Sequence, residues 1–219
     1  MSAQQIIEHI VLFKIKADTD QSKIDTMIER LNDLISLDSV LHISATPLLP
    51  TRFSFVHFTH ILHSRHSSKE NLADYTDHPS HVSVLKESVN PICMDIMIVD
   101  WVFDGFNQPI KLQPGSAIRA TFLKLKEGNS GKKEKILGAL GGIKERISYI
   151  DQTTCGENFS PARAKGYSIA LIFVFPGVSE LDRSYSDWKQ AHTNRVKKER
   201  VRDLSDGFLI VDFVVPHSL

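Results

Sequence analysis

The chain has 219 residues, enough for one large domain or for two of about 100 residues that each bury a core. Its 26 basic and 26 acidic side chains balance, so the charge gives no reason to expect nucleic acid, an anionic membrane or acidic partners. No stretch approaches the roughly 20 apolar residues of a membrane span. Cys93 and Cys155 lack metal-type spacing, which indicates free thiols in a reducing compartment.

The first half of the chain predicts the order β-α-β-α-β. Residues 5–16 alternate along a strand whose two faces are both largely apolar. Residues 20–37 carry apolar side chains at helical spacing. The other predicted elements are a short strand near 40–47, a strand over 53–63, a helix that starts near Ser67 and Ser68 and breaks at Pro79, and a strand over 94–103.

The chain contains an internal repeat. The sequence IVDWVF at 98–103 returns as IVDFVV at 210–215, and LFKIK at 12–16 returns as FLKLK at 122–126. The repeat predicts a first unit over 1–104 and a second over 116–219, joined by a Pro- and Gly-containing linker over 105–115. For the second unit we expect strands over 117–126, 166–175 and 207–215 and helices over 131–150 and 179–203.

This element order is typical of an α+β, ferredoxin-like unit in which the helices cover one face of the sheet. The other face of such a sheet is bare, and here it is apolar and must be covered. We therefore predict that the two units pack sheet to sheet, as an internal pseudo-dimer with the form of a dimeric α+β barrel.

The stretch ADYTDHPSHV at 73–82 combines a phenol, two imidazoles and a proline. Tyr75, His78 and His81 are spaced by three residues, which places them on one side of a helical segment. Pro79 suits the first turn of a new helix and disfavours helix in the residue before it. The stretch predicts a break between two helices with these side chains gathered around it.

The segments EHIVLFKIK, FTHILHSRHSSKENLADYTDHPSHV and IMIVDW resemble the plant stress-response A/B barrel (Dabb) family. Its signature Y-x-x-H-P-x-H is matched by Tyr75, His78, Pro79 and His81. The resemblance covers the whole first unit and implies a dimeric α+β barrel and an association with stress and defence.

The family includes a plant polyketide cyclase, and the resemblance implies site residues. It places the catalytic tyrosine at Tyr75, the catalytic histidine at His81 and two pocket histidines at His9 and His60. Alternation along the predicted strands groups these histidines with apolar side chains. The predicted ligand pocket comprises His9, Val11, Phe13, His60, Leu62 and His78.

Three functions remain open from the sequence. The first is binding of a small apolar or phenolic ligand. The second is cofactor-free cyclisation of a poly-β-keto thioester, with His81 as base and Tyr75 as donor to the developing enolate, which requires no metal or organic cofactor. The third is a self-assembling structural stress protein, and a further homodimer is also open. Against the first two functions, Tyr75 and His81 could serve only to satisfy buried backbone groups and each other.

Some relatives hold a magnesium ion at the end of the first helix. The resemblance places this backbone site here at Asn32, Ile35, Ser36 and Asp38, where free carbonyls carry partial negative charge.

The other histidines indicate no zinc site, since His57, His60 and His63 divide between strand faces. His63 and His66 are expected to flank a turn in contact with solvent.

The second unit departs from the family pattern. Arg119 replaces the strand-one histidine, strand 166–175 has no histidine, and DWKQAHTNR at 187–195 replaces the signature, with Trp188, His192 and Arg195 near its key positions. We therefore expect the pocket in the first unit only, with the second as a scaffold.

The terminal His217-Ser218-Leu219 loosely resembles a peroxisomal address, which leaves a peroxisomal or a cytoplasmic location open.

Overall fold

A computed structural model of the chain describes residues 4–50, 57–128, 130–142, 147–193 and 205–217. The side chains of residues 188–193, which include Trp188 and His192, lie outside this description, as do Arg195, Ser218 and Leu219. Among the helices described, none has both the length and the apolar character needed to cross a bilayer.

The first unit folds as a four-stranded antiparallel sheet with helices on one face, in the strand order β2-β3-β1-β4. A 3-10 turn, Asp33–Ser36, extends the first helix, and a π-helical turn, Leu85–Val89, extends the third. The elements are β1 Gln4–Ile15, α1 Gln21–Asn32, β2 His42–Pro47, β3 His60–His66, α2 Lys69–Asp77, α3 Pro79–Val84 and β4 Cys93–Phe106.

The second unit repeats this arrangement, with the strand order β6-β7-β5-β8. Its edge strand β6 lies between α4 and β7 in the chain and is not among the elements that the sequence predicts. The elements are β5 Ala117–Leu125, α4 Lys133–Gly141, β6 Gln152–Glu157, β7 Ile169–Phe175, α5 Val178–Thr193 and β8 Ser205–Val214. Two ferredoxin-like α+β units are therefore present, as the element order predicts.

The prediction for β3 needs a correction. The strand was expected over 53–63 but runs over His60–His66, while residues 51–56 lie outside the description. Its partners in β1 run from Phe13 opposite His60 to Ile7 opposite His66. The expectation that His63 and His66 contact solvent at a turn is wrong, because both are strand residues with no exposed surface. Their imidazoles find buried hydrogen-bond partners, which allows polar residues to continue the strand.

The predicted helix break is confirmed. α2 ends at Asp77, His78 is extended with φ −62° and ψ 134°, and Pro79 is the first residue of α3. Proline suits that position because its missing N–H has no intrahelical partner there. His78 caps the new helix, since its Nδ1 accepts from the N–H of Ser80 at 3.2 Å.

A continuous apolar core fills the space between the two sheets. It is formed by buried side chains of both units, among them Ile10, Leu12, Val99, Ile118, Ile172, Val211 and Phe213. The sheets thus hide their bare faces against each other, which confirms the predicted intramolecular α+β barrel. A second apolar core of the first unit lies between its sheet and its helices.

A charged cluster also lies between the sheets. The Glu8 carboxylate accepts from His63 Nε2 at 2.6 Å, from Arg65 Nε at 3.1 and 3.2 Å, and from Thr154 Oγ1 of the second unit at 3.0 Å. Arg65 in turn donates to the Gln152 side chain at 3.0 Å. Because Glu8, His63 and Arg65 have no exposed surface, the two units are joined by buried polar contacts as well as apolar ones.

Each unit also donates a backbone hydrogen bond to the last strand of the other unit. After β6, the N–H of Phe159 donates to the carbonyl of Asp100 at 2.9 Å, and after β2 the N–H of Leu49 donates to the carbonyl of Asp212 at 2.7 Å. The approach at β6 is close. A Cβ on Gly156 would lie 2.7 Å from Trp101 Cδ1, so this position tolerates only glycine without a shift.

Candidate functional site

A cavity of about 330 Å³ lies between the sheet of the first unit and its helices. Its volume is at the lower end of the range of small-molecule sites and suits a single-ring molecule. The apolar part of the wall comprises Val11, Phe13, Leu31, Leu62, Leu85, Ile96 and Ile98. The polar part comprises His9, Tyr75, Thr76, Asp77, His81, Asn90 and Arg163.

His81 and Tyr75 lie together on this wall, on opposite sides of the helix break. Their ring centroids are 4.5 Å apart. His81 Nδ1 lies 2.8 Å from the carbonyl oxygen of Thr76, so Nδ1 carries the proton and Nε2 has a free lone pair. Burial lowers the pKa of His81 and raises the pKa of Tyr75 far above its usual value. At neutral pH the pair therefore combines a neutral proton acceptor with a protonated phenol.

His9 is the third polar side chain of the cavity wall, beside Tyr75 and His81. Its Nδ1 lies 2.5 Å from Asp100 Oδ1, and its ring centroid is 6.0 Å from that of Tyr75. Ser160 of the second unit donates to Asp100 Oδ2. Burial raises the pKa of Asp100, but His9 and then Ser160 outweigh it, so the net pKa is lowered and the carboxylate stays ionised. The imidazole is held in one orientation by this carboxylate.

The imidazole of His66 packs against the ring of Tyr75. Its ring centroid lies 5.0 Å from that of Tyr75. Nδ1 donates to the carbonyl of Ser39 at 2.8 Å, and Nε2 accepts from Ser64 Oγ at 3.0 Å. Since both nitrogens are occupied and burial lowers the pKa of His66 to about 4, this imidazole is a neutral packing residue.

The sequence resembles the stress-responsive A/B barrel domain over residues 7–103 and again over residues 118–215. The chain belongs to this family. Two stress-response A/B barrel domain-containing proteins of Arabidopsis thaliana are similar to it. The first is 51% identical over 98% of this chain and 80% of its own length, and the second is 41% identical over 97% of this chain and 98% of its own length.

Solved structures agree with the fold of this A/B barrel protein over both units. A crystal structure from Fusobacterium nucleatum covers 98% of this chain and 94% of its own, with a TM-score of 0.64 and 15% identity. Another from Lactobacillus acidophilus covers 98% and 97%, with a TM-score of 0.56 and 12% identity. These likenesses concern the fold alone.

The structure brings together most of the predicted site residues of the A/B barrel but not all. Those that line the cavity are His9, Val11, Phe13, Leu62, Tyr75 and His81. His60 and His78 do not line it. His60 Nδ1 lies 2.9 Å from Thr59 Oγ1 at the start of β3, and His78 caps α3.

Sequence reasoning missed several residues at or near the cavity, among them His66, Asp100 and Arg163. The first two had a signal in the sequence. His66 follows Leu62 and Ser64 in the alternation of β3, which the expected turn concealed. Asp100 is the aspartate of IVDWVF, whose repeat in the second unit keeps an aspartate at the same place. Arg163 lies in the second unit, and nothing in the sequence indicates its proximity to the first.

The end of α1 is the segment for which a magnesium ion was predicted. Asn32 is fully buried, and its amide exchanges hydrogen bonds of 2.7 and 2.9 Å with the backbone of Ala45. Ser36 Oγ donates to the carbonyl of Asp33 at 2.8 Å. These bonds involve the side chains of Asn32 and Ser36, whereas the predicted site uses backbone carbonyls, so magnesium at the end of α1 stays a prediction. Across the described ranges, no three His, Cys, Asp or Glu side chains gather as a metal site.

Proposed function

We propose that the first unit binds a small, partly apolar molecule that carries a phenol or a carbonyl group. The observation that supports this proposal is the cavity of about 330 Å³, in which Tyr75, His81 and His9 converge against an apolar wall. A few convergent polar groups in an apolar cavity are typical of sites that orient a small molecule. Tyr75 offers a donor and His81 an acceptor, which together match a hydroxyl beside a carbonyl.

Binding can be tested by isothermal titration with a panel of phenols, aromatic ketones and 1,3-diketones. Tyr75→Phe and His81→Gln are each expected to weaken the affinity for the best panel member about tenfold, since each removes one buried hydrogen bond. Tyr149→Phe is the matched control, because Tyr149 donates to Asp187 in the second unit, away from the cavity. Equal affinity in the wild type and both cavity variants, or no binding of any panel member, would overturn the proposal.

Catalysis is the second candidate, and the protonation state of His81 favours it. With Nδ1 donating to Thr76, Nε2 is free to take the proton from a carbon that lies between two carbonyl groups. The electron pair of that C–H bond moves to the neighbouring carbonyl oxygen, where the Tyr75 phenol donates a hydrogen bond to the developing enolate. The enolate carbon can then form a C–C bond to a second carbonyl of the same poly-β-keto chain. The oxygen of that carbonyl takes up its π electron pair and receives the proton held on His81 Nε2.

The first step can be measured without the full substrate. In D₂O, a β-keto thioester is expected to exchange its acidic C–H for deuterium faster with the wild type than with His81→Gln, as followed by proton NMR. Tyr149→Phe should exchange at the wild-type rate. Exchange at the buffer rate with the wild type would leave binding as the function of this site.

The remaining predictions are independent of the cavity. A role in plant defence, self-assembly, a further homodimer, bound magnesium and a peroxisomal address stay predictions. Sedimentation velocity tests the assembly predictions directly, because a large oligomer, a dimer and a monomer of this 24.7 kDa chain are well separated in that measurement.

A further inference from the structure

A segment of the second unit closes one side of the cavity of the first. After β6, the backbone of Asp100 receives a hydrogen bond from the Phe159 N–H at 2.9 Å and donates one to Asn158 Oδ1 at 3.1 Å. Ser160 Oγ donates to the Asp100 carboxylate. Three successive residues are thus fixed to β4 of the first unit, so the turn that follows them has a defined position at the cavity.

That turn, Pro161–Arg163, places an arginine on the cavity wall. Arg163 is exposed at the mouth, and among the described residues its guanidinium makes neither an ion pair nor a side-chain hydrogen bond. The neighbouring cation Lys165 differs, because it pairs with Asp95 at 2.7 Å and does not line the cavity. Arg163 therefore presents free donors to whatever occupies the mouth.

The acidic groups near the mouth do not neutralise Arg163 by direct pairing. Asp100 is already held by His9 and Ser160. Asp77 lines the cavity from the end of α2 but, within the described part of the chain, forms no ion pair with Arg163. Burial is the largest cause of the lowered pKa of His81, and the charges of His9 and Arg163 lower it further. The guanidinium of Arg163 is therefore close enough to act on His81 electrostatically.

We propose that the ligand of this cavity is an anion, an aromatic or keto carboxylate whose carboxylate is bound by Arg163 of the second unit. The proposal rests on the proposed binding function and adds the chemical class of the ligand. A guanidinium matches a carboxylate through two parallel N–H···O bonds. In this arrangement the ligand spans the two units, with its carboxylate at the mouth and its hydroxyl or carbonyl group at Tyr75 and His81.

Isothermal titration with two matched probes tests the proposal. The probes are 4-hydroxybenzoate and 4-hydroxybenzamide, which share size and phenol but differ in charge. The wild type is expected to bind the acid about tenfold more tightly than the amide. Arg163→Gln should abolish this preference and leave the affinity for the amide unchanged, while Arg163→Lys should keep part of it. Raising the salt concentration should reduce the preference, because Arg163 is exposed.

Lys165→Gln is the matched control, since it removes a cation of the same loop that does not line the cavity, and it should keep the wild-type preference. Equal binding of acid and amide by the wild type would overturn the anion proposal and leave the binding function standing. A preference that survives in Arg163→Gln would do the same. No binding of either probe or of any phenol or ketone would overturn both proposals together.

Discussion

The two units keep an aspartate at the same place in their last strand but give it different partners. In the first unit His9 of β1 lies opposite Asp100 of β4, and in the second Arg119 of β5 lies opposite Asp212 of β8. His9 contacts one carboxylate oxygen of Asp100. Arg119 contacts both oxygens of Asp212, each at 2.8 Å, and also donates to Ser184 of α5 at 3.0 Å.

The same pair of strands therefore carries a cavity-lining group in the first unit and a structural ion pair, called a brace below, in the second. The arginine fork binds both carboxylate oxygens and also contacts Ser184 of α5, so sheet and helix are joined directly. The smaller imidazole leaves the second oxygen of Asp100 to Ser160 and forms part of the cavity wall. In this shared strand pair, the first unit therefore has a cavity-lining group where the second unit has a structural contact.

The neighbouring position sharpens the comparison, because the first unit has buried Glu8 where the second has buried Ile118. Burial raises the pKa of Glu8, but Arg65 and His63 lower it to a net value of about 2. Glu8→Gln is expected to cost roughly 3 kcal/mol of unfolding free energy at neutral pH, because Arg65 would stay buried without its counter-charge. Urea unfolding measures this loss.

The pH dependence of the same variant follows from the sign of the shift. A carboxyl group with a lowered pKa contributes stability that is present above its unfolded value of 4.5 and is lost as the pH falls towards about 2. The gap between wild type and Glu8→Gln should therefore narrow over that interval. Glu29→Gln, the same change on the exposed face of α1, should alter stability by less than about 0.5 kcal/mol. A constant gap down to the lowest pH would contradict the role of Glu8.

Arg119→Met tests whether the second unit depends on its strand pair for stability. The change leaves the carboxylate of Asp212, which is about 90% buried, without its two guanidinium contacts, and about 2 kcal/mol of unfolding free energy should be lost. Arg183→Met, a change of the same type at an exposed position of α5, should cost less than about 0.5 kcal/mol. Equal costs for the two variants would show that the Arg119 pair is not a brace.

His9→Arg converts the strand pair of the first unit into that of the second. The longer side chain should pair with Asp100 and enter the cavity, so ligand affinity should fall about tenfold while the urea midpoint is retained. Isothermal titration with the best phenol or ketone probe measures the first effect. Unchanged affinity would show that His9 and the ligand do not share the same space.

Ser160→Ala has the smallest expected effect and tests the contact across the units. Loss of the hydrogen bond should cost about 1 kcal/mol in urea unfolding and raise the pKa of Asp100 towards its ordinary value, as followed by carboxyl NMR titration. Ser148→Ala, at an exposed position of the same unit, should change neither quantity. An Asp100 pKa that is unchanged in Ser160→Ala would refute the contact.

The fold could be predicted from the sequence because it depends on apolar patterning, and the internal repeat shows this pattern in both units. The sheet-to-sheet packing follows from the two apolar faces of β1, and the helix break follows from Pro79. The unpredicted strand β6 has the composition QTTCGE, without the alternation that identifies a strand, and it is held by its pairing with β7.

The candidate site was only partly accessible. Tyr75, His81 and His9 are grouped by a motif and by strand periodicity, which are local signals. The burial of His63 and His66 depends on partners such as Glu8 and Ser39, which are distant in sequence. The contribution of Ser160 and Arg163 depends on how the second unit docks, and no local pattern encodes that geometry.

The reciprocal hydrogen bonds of Phe159 and Leu49 have a consequence for chains cut between the units. If the chain were severed within 105–115, each fragment would lose the backbone hydrogen bond that the other fragment donates to its last strand. The amino-terminal fragment would keep Tyr75 and His81 but have an open side where residues 158–163 belong. Recovery of ligand capture on mixing the fragments would then report their reassembly.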